Sequence, residues 1–183
     1  MTVVAALLHE GKVWMGADSL STFSDGTKLS GQEKLWIREN SGESWLFGSA
    51  GNKLFGQMVR YEADLPSEKP GDNLLDYLVT KWAHPFREKV ADRKGLLDND
   101  GKIRGGGEVL IGLRGQLFLM VGFGIFPVRE PFRAIGIGEG PAFGVLHFTQ
   151  GSGLEPEKRL RAAVTAASEL QQAVDDNCYL LSV

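Results

Sequence analysis

The sequence contains a single cysteine, Cys178, among its 183 residues. One cysteine excludes an intrachain disulfide, so a reducing compartment is expected and the fold must be held by its core. No apolar run is long enough to cross a bilayer as a helix. The N-terminal apolar stretch has no basic residue before it, which argues against a secretory signal. We therefore expect a cytoplasmic protein without a membrane partner.

The sequence also lacks a large excess of charge of one sign, because it has 20 Lys and Arg residues and 23 Asp and Glu residues. A formal net charge of −3 provides no broad basic face, so we expect no nucleic-acid partner. His9, His84 and His147 lie far apart without the spacing of metal ligands. The glycines within 136–140 precede a predicted helix, but their spacing is not that of a nucleotide-binding loop. No metal or organic cofactor is expected.

Apolar residues make up 43% of the chain and charged residues 23%, which is a globular composition. The length suits one domain spanning residues 1–183. Hydrophobic periodicity predicts strands at 3–8, 13–17, 34–38, 44–47, 108–112, 116–121, 133–136 and 179–183. It predicts helices at 52–63, 73–92, 140–149 and 155–174, with loops at 19–31 and 95–107. Hairpins and helix pairs in this order predict a layered α+β fold with antiparallel sheets.

Thr2 follows the initiator methionine and is small enough for Met1 to be removed. Removal would leave a hydroxyl and a free α-amine on one residue, and the amine would then serve as the base for its own hydroxyl. An α-amine has a pKa of about 8, close to working pH. A nearby lysine would lower that pKa further, and such a lysine needs a carboxylate to hold it. Thr2 alone is a common residue at this position, so the hypothesis depends on finding that lysine and carboxylate.

The segments TVVAALLHEGKVWMGAD, KLSGQEKLW and FGSAGN, in this order, resemble the start of proteasome β-subunits and of the bacterial HslV protease. These proteins are N-terminal-nucleophile (Ntn) hydrolases. In that family an aspartate follows the nucleophilic threonine by sixteen residues and a lysine follows it by thirty-two. Thr2, Asp18 and Lys34 have these spacings. The resemblance continues through EVLIGLRGQLFLM, AIGIGEGPAFGVL and CYLLSV, and is weaker across 53–105.

This resemblance implies a four-layer αββα sandwich with Thr2 as the nucleophile in the cleft between two antiparallel sheets. Lys34 would perturb the amine and the hydroxyl of Thr2, and Asp18 would orient Lys34. The Ala50-Gly51 pair matches the oxyanion element of the family. There the backbone N–H of Gly51 would stabilise the tetrahedral intermediate.

The resemblance also implies the residues that bind substrate. Ser21 and Thr22 correspond to cleft residues that bind the substrate backbone as an added strand. Gln32 and Ser49 would shape the pocket for the residue before the scissile bond, without fixing one side-chain preference, and Ala50 is a further substrate-binding residue. The implied substrate is a polypeptide and the implied assembly is a homo-oligomeric double ring. An ATPase unfoldase ring is a further candidate partner.

The sequence departs from the family where supporting polar groups are expected. Ile137 replaces the serine of the Gly-Ser-Gly segment, and Gln171 and Val174 take the places of an aspartate and a serine. Loss of such hydrogen-bonding groups is expected to weaken or abolish activity. Two alternatives to a threonine peptidase therefore stay open. One is a catalytically inactive ring-forming proteasome homologue, and the other is a small-amide hydrolase of the same nucleophile class.

Overall fold

The computed structural model describes residues 2–23, 25–90 and 107–183. The strands are β1 (Val3–His9), β2 (Lys12–Ala17), β3 (Ser21–Thr22), β4 (Lys28–Leu29), β5 (Leu35–Asn40), β6 (Glu43–Gly51), β7 (Gly107–Leu113), β8 (Gln116–Val121), β9 (Gly124–Pro127), β10 (Phe132–Gly136) and β11 (Tyr179–Ser182). The helices are α1 (Lys53–Tyr61), α2 (Leu74–Tyr77), α3 (His84–Val90), α4 (Glu139–Phe148) and α5 (Pro156–Leu170). A π-helical segment, Leu78–Ala83, joins α2 to α3.

The first large sheet has four antiparallel strands in the order β10-β1-β2-β11. Both faces of β1 are buried, which explains its continuous apolar run, since alternate side chains point to opposite faces of a strand. Val3, Ala5 and Leu7 pack against α4 and α5. Val4 and Ala6 face the other sheet.

The second large sheet has five antiparallel strands in the order β5-β6-β7-β8-β9. Its outer face packs against α1, α2, α3 and the π-helical segment through large aromatic side chains. The ring centroids of Trp45 and Trp82 are 6.0 Å apart, and those of Phe47 and Trp82 are 5.7 Å apart. This aromatic core fixes the strand that leads into the candidate site, because Trp45 and Phe47 both belong to β6.

The two large sheets pack against each other through a third apolar cluster. Gly48 allows a close approach of the two sheets, because a Cβ at this position would lie 2.7 Å from Val4 Cγ1 in the other sheet. Helices, sheet, sheet and helices thus form four layers. The predicted α+β class and αββα sandwich are confirmed.

The structure differs from the predicted elements in four places. The strand β9 was not predicted, and the short ribbon of β3 and β4 lies within the predicted loop at 19–31. The helix predicted at 73–92 is divided by the π-helical segment, which immediately precedes α3 and its Pro85. Proline has no N–H to donate within a helix, and wider turns accommodate that loss.

The fourth difference is at the C-terminal helix, for which the apolar spacing predicts an end at residue 174. Helix α5 ends at Leu170 because Gln171 has an extended backbone, with φ −129° and ψ 104°. The predicted loop at 95–107, up to residue 106, and Met1 lie outside the described residues. None of the helices within the described ranges is both long and apolar enough to cross a membrane.

Candidate active site

Thr2 immediately precedes β1 and is 8% exposed. Its carbonyl oxygen accepts a hydrogen bond from the Gly138 N–H at 3.3 Å. Gly136, at the end of β10, has φ +90°, and a Cβ there would collide with the same carbonyl oxygen. Glycine at 136 therefore allows the end of β10 to pass close to the backbone of Thr2.

Lys34 and Asp18 form a buried ion pair next to Thr2. The Lys34 Nζ lies 2.6 Å from Asp18 Oδ1, and the two side chains are 6% and 0% exposed. The same Nζ donates to the Leu20 carbonyl oxygen at 2.6 Å. Asp18 also accepts the Val3 N–H at 2.8 Å through Oδ1 and the Leu20 N–H at 3.2 Å through Oδ2. One carboxylate therefore holds both the lysine and the backbone adjacent to Thr2.

Burial and neighbouring charges act in opposite directions on this pair. Burial lowers the pKa of Lys34, and the charge of Lys53 acts in the same direction, whereas the pair with Asp18 opposes it. Burial raises the pKa of Asp18, against the effect of Lys34 and of the Val3 N–H. Lys34 and Thr2 line the same cleft.

A cleft of about 260 Å³ opens beside Thr2. The predicted site residues that line it are Thr2, Ser21, Gln32, Lys34, Ser49, Ala50 and Gly51. Its other lining residues are Glu33, Trp36, Asn52, Lys53, Gly56, Gln57, Arg60 and Tyr61. Two predicted residues do not line the cleft. Asp18 is fully buried and contacts Lys34 from behind the cleft wall. Thr22 lies outside the lining of this cleft, and its hydroxyl is 3.5 Å from the Ala173 carbonyl oxygen.

Gly51 ends β6 at the cleft and has φ +87°. This left-handed conformation is costly for residues with a side chain, so glycine is suited to the position. Ala50 is buried, and its Cβ would lie 3.2 Å from a Cβ placed on Gly136. The Ala50–Gly51 peptide thus lies on the same cleft as Thr2.

Sequence reasoning missed the polar group that supports the segment after Asp18. Asp175 accepts the Ser19 N–H at 2.8 Å and the Ser19 hydroxyl at 2.9 Å. Asn177 donates to the Ser19 hydroxyl oxygen at 3.0 Å. The sequence predicted a loss of supporting polar groups at Gln171 and Val174. Helix α5 ends early, at Leu170, and the chain after it brings Asp175 and Asn177 to the loop that contains Ser19. The run of polar residues 175–177 after the helix was the signal in the sequence that could have indicated this.

Glu108 is a second residue that sequence reasoning missed. It lies opposite Ala50 in the β6–β7 pair, and its Oε2 accepts the Gly136 N–H at 3.3 Å. This hydrogen bond joins the two large sheets beside Thr2. Ile137, at the position of the family's serine, is 46% exposed and provides no polar group. Within the described ranges, no group of three His, Cys, Asp or Glu residues is placed to hold a metal ion.

A comparison with protein-family models finds no match, and a comparison with curated proteins finds none. Solved structures do match over nearly the whole chain. Thiobacillus denitrificans BPH in complex with epoxomicin superposes with a TM-score of 0.78 at 18% identity, covering 100% of this chain and 98% of that one. Eukaryotic HslV from Trypanosoma brucei gives a TM-score of 0.67 at 14% identity, covering 99% and 98% of the two chains.

Anbu from Hyphomicrobium sp. strain MC1, as a Gly-1 mutant, gives a TM-score of 0.72 at 14% identity and covers 100% of this chain and 82% of that one. The identities are low, so these likenesses establish the fold. The chain has the proteasome-like Ntn-hydrolase fold that BPH, HslV and Anbu share.

Proposed function

We propose that this protein is a proteasome-like threonine peptidase whose nucleophile is the hydroxyl of Thr2, freed by removal of Met1. The observation that carries the proposal is the buried Lys34–Asp18 pair, whose lysine lines the same cleft as Thr2. Burying an ion pair carries a desolvation cost, and ionisable groups perturbed in this way cluster at catalytic sites.

The proposed reaction begins with the α-amine of Thr2 as base. The amine takes the proton of the Thr2 hydroxyl while the hydroxyl oxygen attacks the peptide carbonyl. Lys34 favours the unprotonated amine through its charge, and Asp18 fixes the position of Lys34. The N–H of Gly51 donates to the oxyanion of the tetrahedral intermediate. The leaving amine takes the proton, and water then hydrolyses the acyl-enzyme ester.

The proposed substrate is an extended polypeptide. Ser21 lines the cleft and Thr22 follows it in β3, so a peptide could bind there through its backbone as an added strand. Gln32 and Ser49 would contact the residue before the scissile bond, and Ala50 would also bind substrate. BPH, whose fold this chain resembles, forms a complex with epoxomicin, and this supports a cleft that accepts a ligand. A cytoplasmic homo-oligomeric double ring, with an ATPase ring as a candidate partner, is part of the same proposal.

Turnover of capped fluorogenic peptides tests this proposal. Wild-type protein should cleave them, Thr2→Ala should lose at least about a thousandfold in rate, and Thr2→Ser should retain measurable cleavage because it keeps a hydroxyl. Thr165→Ala is the matched control, since Thr165 is exposed on α5. Equal cleavage by wild type and Thr2→Ala would refute Thr2 as the nucleophile.

Two other functions predict different results in the same assay. A catalytically inactive homologue, favoured by the apolar Ile137, would cleave neither capped peptides nor small amides. A small-amide hydrolase of the same class would act on small amides and leave capped peptides intact. The peptidase proposal requires cleavage of capped peptides that depends on Thr2.

A further inference from the structure

The charges that line the cleft do not all have partners. Lys34 is paired with the buried Asp18. Arg60 is paired with Glu33, with 2.7 Å between the guanidinium nitrogen and the carboxylate oxygen. Each of these pairs is close to neutral as a unit. Lys53 is the remaining charged residue in the lining of the cleft.

Lys53 is not neutralised by any carboxylate within the described ranges. Its Nζ lies 3.8 Å from the centroid of the Phe23 ring, a cation–π contact that leaves the positive charge in place. Burial lowers its pKa, and its charge in turn lowers the pKa of Lys34. Lys53 is exposed, and a cation that lines a cleft without a carboxylate partner would be paired by an anionic ligand bound there.

Helix α1 brings this charge to the candidate site. Lys53, Gln57 and Arg60 are spaced by three or four residues, so they share one face of the helix, and that face lines the cleft. Gly56 lets the helix approach the cleft wall, because a Cβ there would lie 2.7 Å from Ser49 Oγ. Ser49 is one of the residues proposed to surround the side chain before the scissile bond. The face of α1 therefore borders that pocket.

We infer that this pocket selects an acidic side chain, aspartate or glutamate, immediately before the scissile bond, with Lys53 as the main specificity-determining residue. The inference rests on the proposed peptidase function. A carboxylate would pair with Lys53 and would accept hydrogen bonds from the Gln57 amide. A basic side chain would be repelled by the charge of Lys53. It would find no free carboxylate among the described residues that line the cleft, because Glu33 is paired with Arg60. A large apolar side chain would cover Lys53 without compensating its charge.

Matched peptides that differ only in the residue before the scissile bond test this inference. Wild-type protein should show kcat/KM at least about tenfold higher for glutamate than for the isosteric glutamine, and higher still relative to arginine. Lys53→Met should remove most of the glutamate-to-glutamine ratio, and Lys53→Glu should invert it. Lys12→Met, at the exposed start of β2, is the matched control and should keep the ratio of the wild type. A ratio near one in wild type, or one unaffected by Lys53→Met, overturns the inference.

Equilibrium binding separates this inference from the proposed function. Thr2→Ala keeps the cleft but has no nucleophile, so fluorescence anisotropy can compare labelled glutamate and glutamine peptides without turnover. Tighter binding of the glutamate peptide that weakens as salt is raised supports the acidic preference, even if wild type cleaves nothing. Equal binding of the two peptides overturns the preference, even if wild type cleaves both.

Discussion

The cleft contains two ion pairs in different surroundings. We call the buried pair of Lys34 and Asp18 the inner end of the cleft, and the exposed pair of Arg60 and Glu33 its rim. At the inner end, Lys34 and Asp18 are 6% and 0% exposed and are fixed by backbone hydrogen bonds to Val3 and Leu20. At the rim, Arg60 and Glu33 form a pair of nearly the same length, but their side chains are 25% and 67% exposed. Similar distances therefore describe two different electrostatic environments.

The difference indicates how the two pairs would serve a peptidase. Removing one partner of a buried pair leaves an unsolvated charge, so the inner pair tolerates little change and suits a fixed catalytic role. An exposed pair is screened by water and contributes little to stability, so the rim can vary in charge without unfolding the protein. We therefore expect chemistry to depend on the inner pair and substrate preference to depend on the rim.

Replacing Lys34 should have the largest effect. Lys34→Met leaves Asp18 buried without its cation, which should cost about 3–5 kcal/mol of unfolding free energy and abolish reaction with an epoxyketone probe. Urea unfolding and probe labelling measure the two effects. The double variant Asp18→Asn/Lys34→Met should recover part of the stability and none of the labelling. Labelling of the double variant at the wild-type rate would contradict the role of the pair.

Gly136→Ala should have the next largest effect. The new Cβ would collide with the Thr2 carbonyl oxygen, and alanine is strained at φ +90°. We expect a loss of about 3 kcal/mol in stability together with loss of probe labelling, because Thr2 must move. Gly140→Ala is the matched control, since a Cβ there meets nothing within 4 Å. Full labelling of Gly136→Ala would show that the Thr2 backbone position is not critical.

Asp175→Ala should have an intermediate effect. It removes the two hydrogen bonds that Asp175 accepts from Ser19 and leaves the buried Ser19 N–H without this acceptor, which should cost about 2 kcal/mol. Because Ser19 adjoins Asp18, probe labelling should slow by about tenfold. Asp176→Ala, at an exposed neighbour, should leave both quantities unchanged. Identical behaviour of the two variants would remove Asp175 from the account of the site.

Arg60→Met should have the smallest effect on stability. The rim pair is largely solvated, so its loss should change the unfolding free energy by less than about 1 kcal/mol. Its effect should appear instead in the choice of substrate, because Glu33 becomes available to basic side chains. Urea unfolding measures the change in stability, and kcat/KM for a peptide with arginine before the scissile bond measures the change in substrate preference. A stability loss as large as that of Lys34→Met would erase the distinction between inner end and rim.

Much of the architecture could be predicted from the sequence because its signals are local. The hairpin of β1 and β2 follows from two apolar strands around a glycine turn, and the apolar stripe of α5 follows from its helical spacing. The end of α5 and the strand β9 were missed because tertiary contacts decide them. The π-helical segment was also missed, since the apolar spacing at 73–92 predicts one continuous helix.

The candidate site was predictable only in part for the same reason. The spacing of Thr2, Asp18 and Lys34 is visible in the sequence through resemblance to a family. The contact of Ser19 with Asp175 joins residues 156 positions apart, and no local pattern indicates it. Lys53 is an ordinary surface lysine in the sequence, and only the packing of α1 beside Ser49 brings it to the cleft.

Intact-mass spectrometry of the purified protein after incubation with epoxomicin tests the central claim most directly. The account predicts a chain lacking Met1 and carrying one inhibitor molecule, with no adduct on Thr2→Ala. A chain that retains Met1 and remains unmodified would contradict the claim that a free Thr2 terminus is the nucleophile.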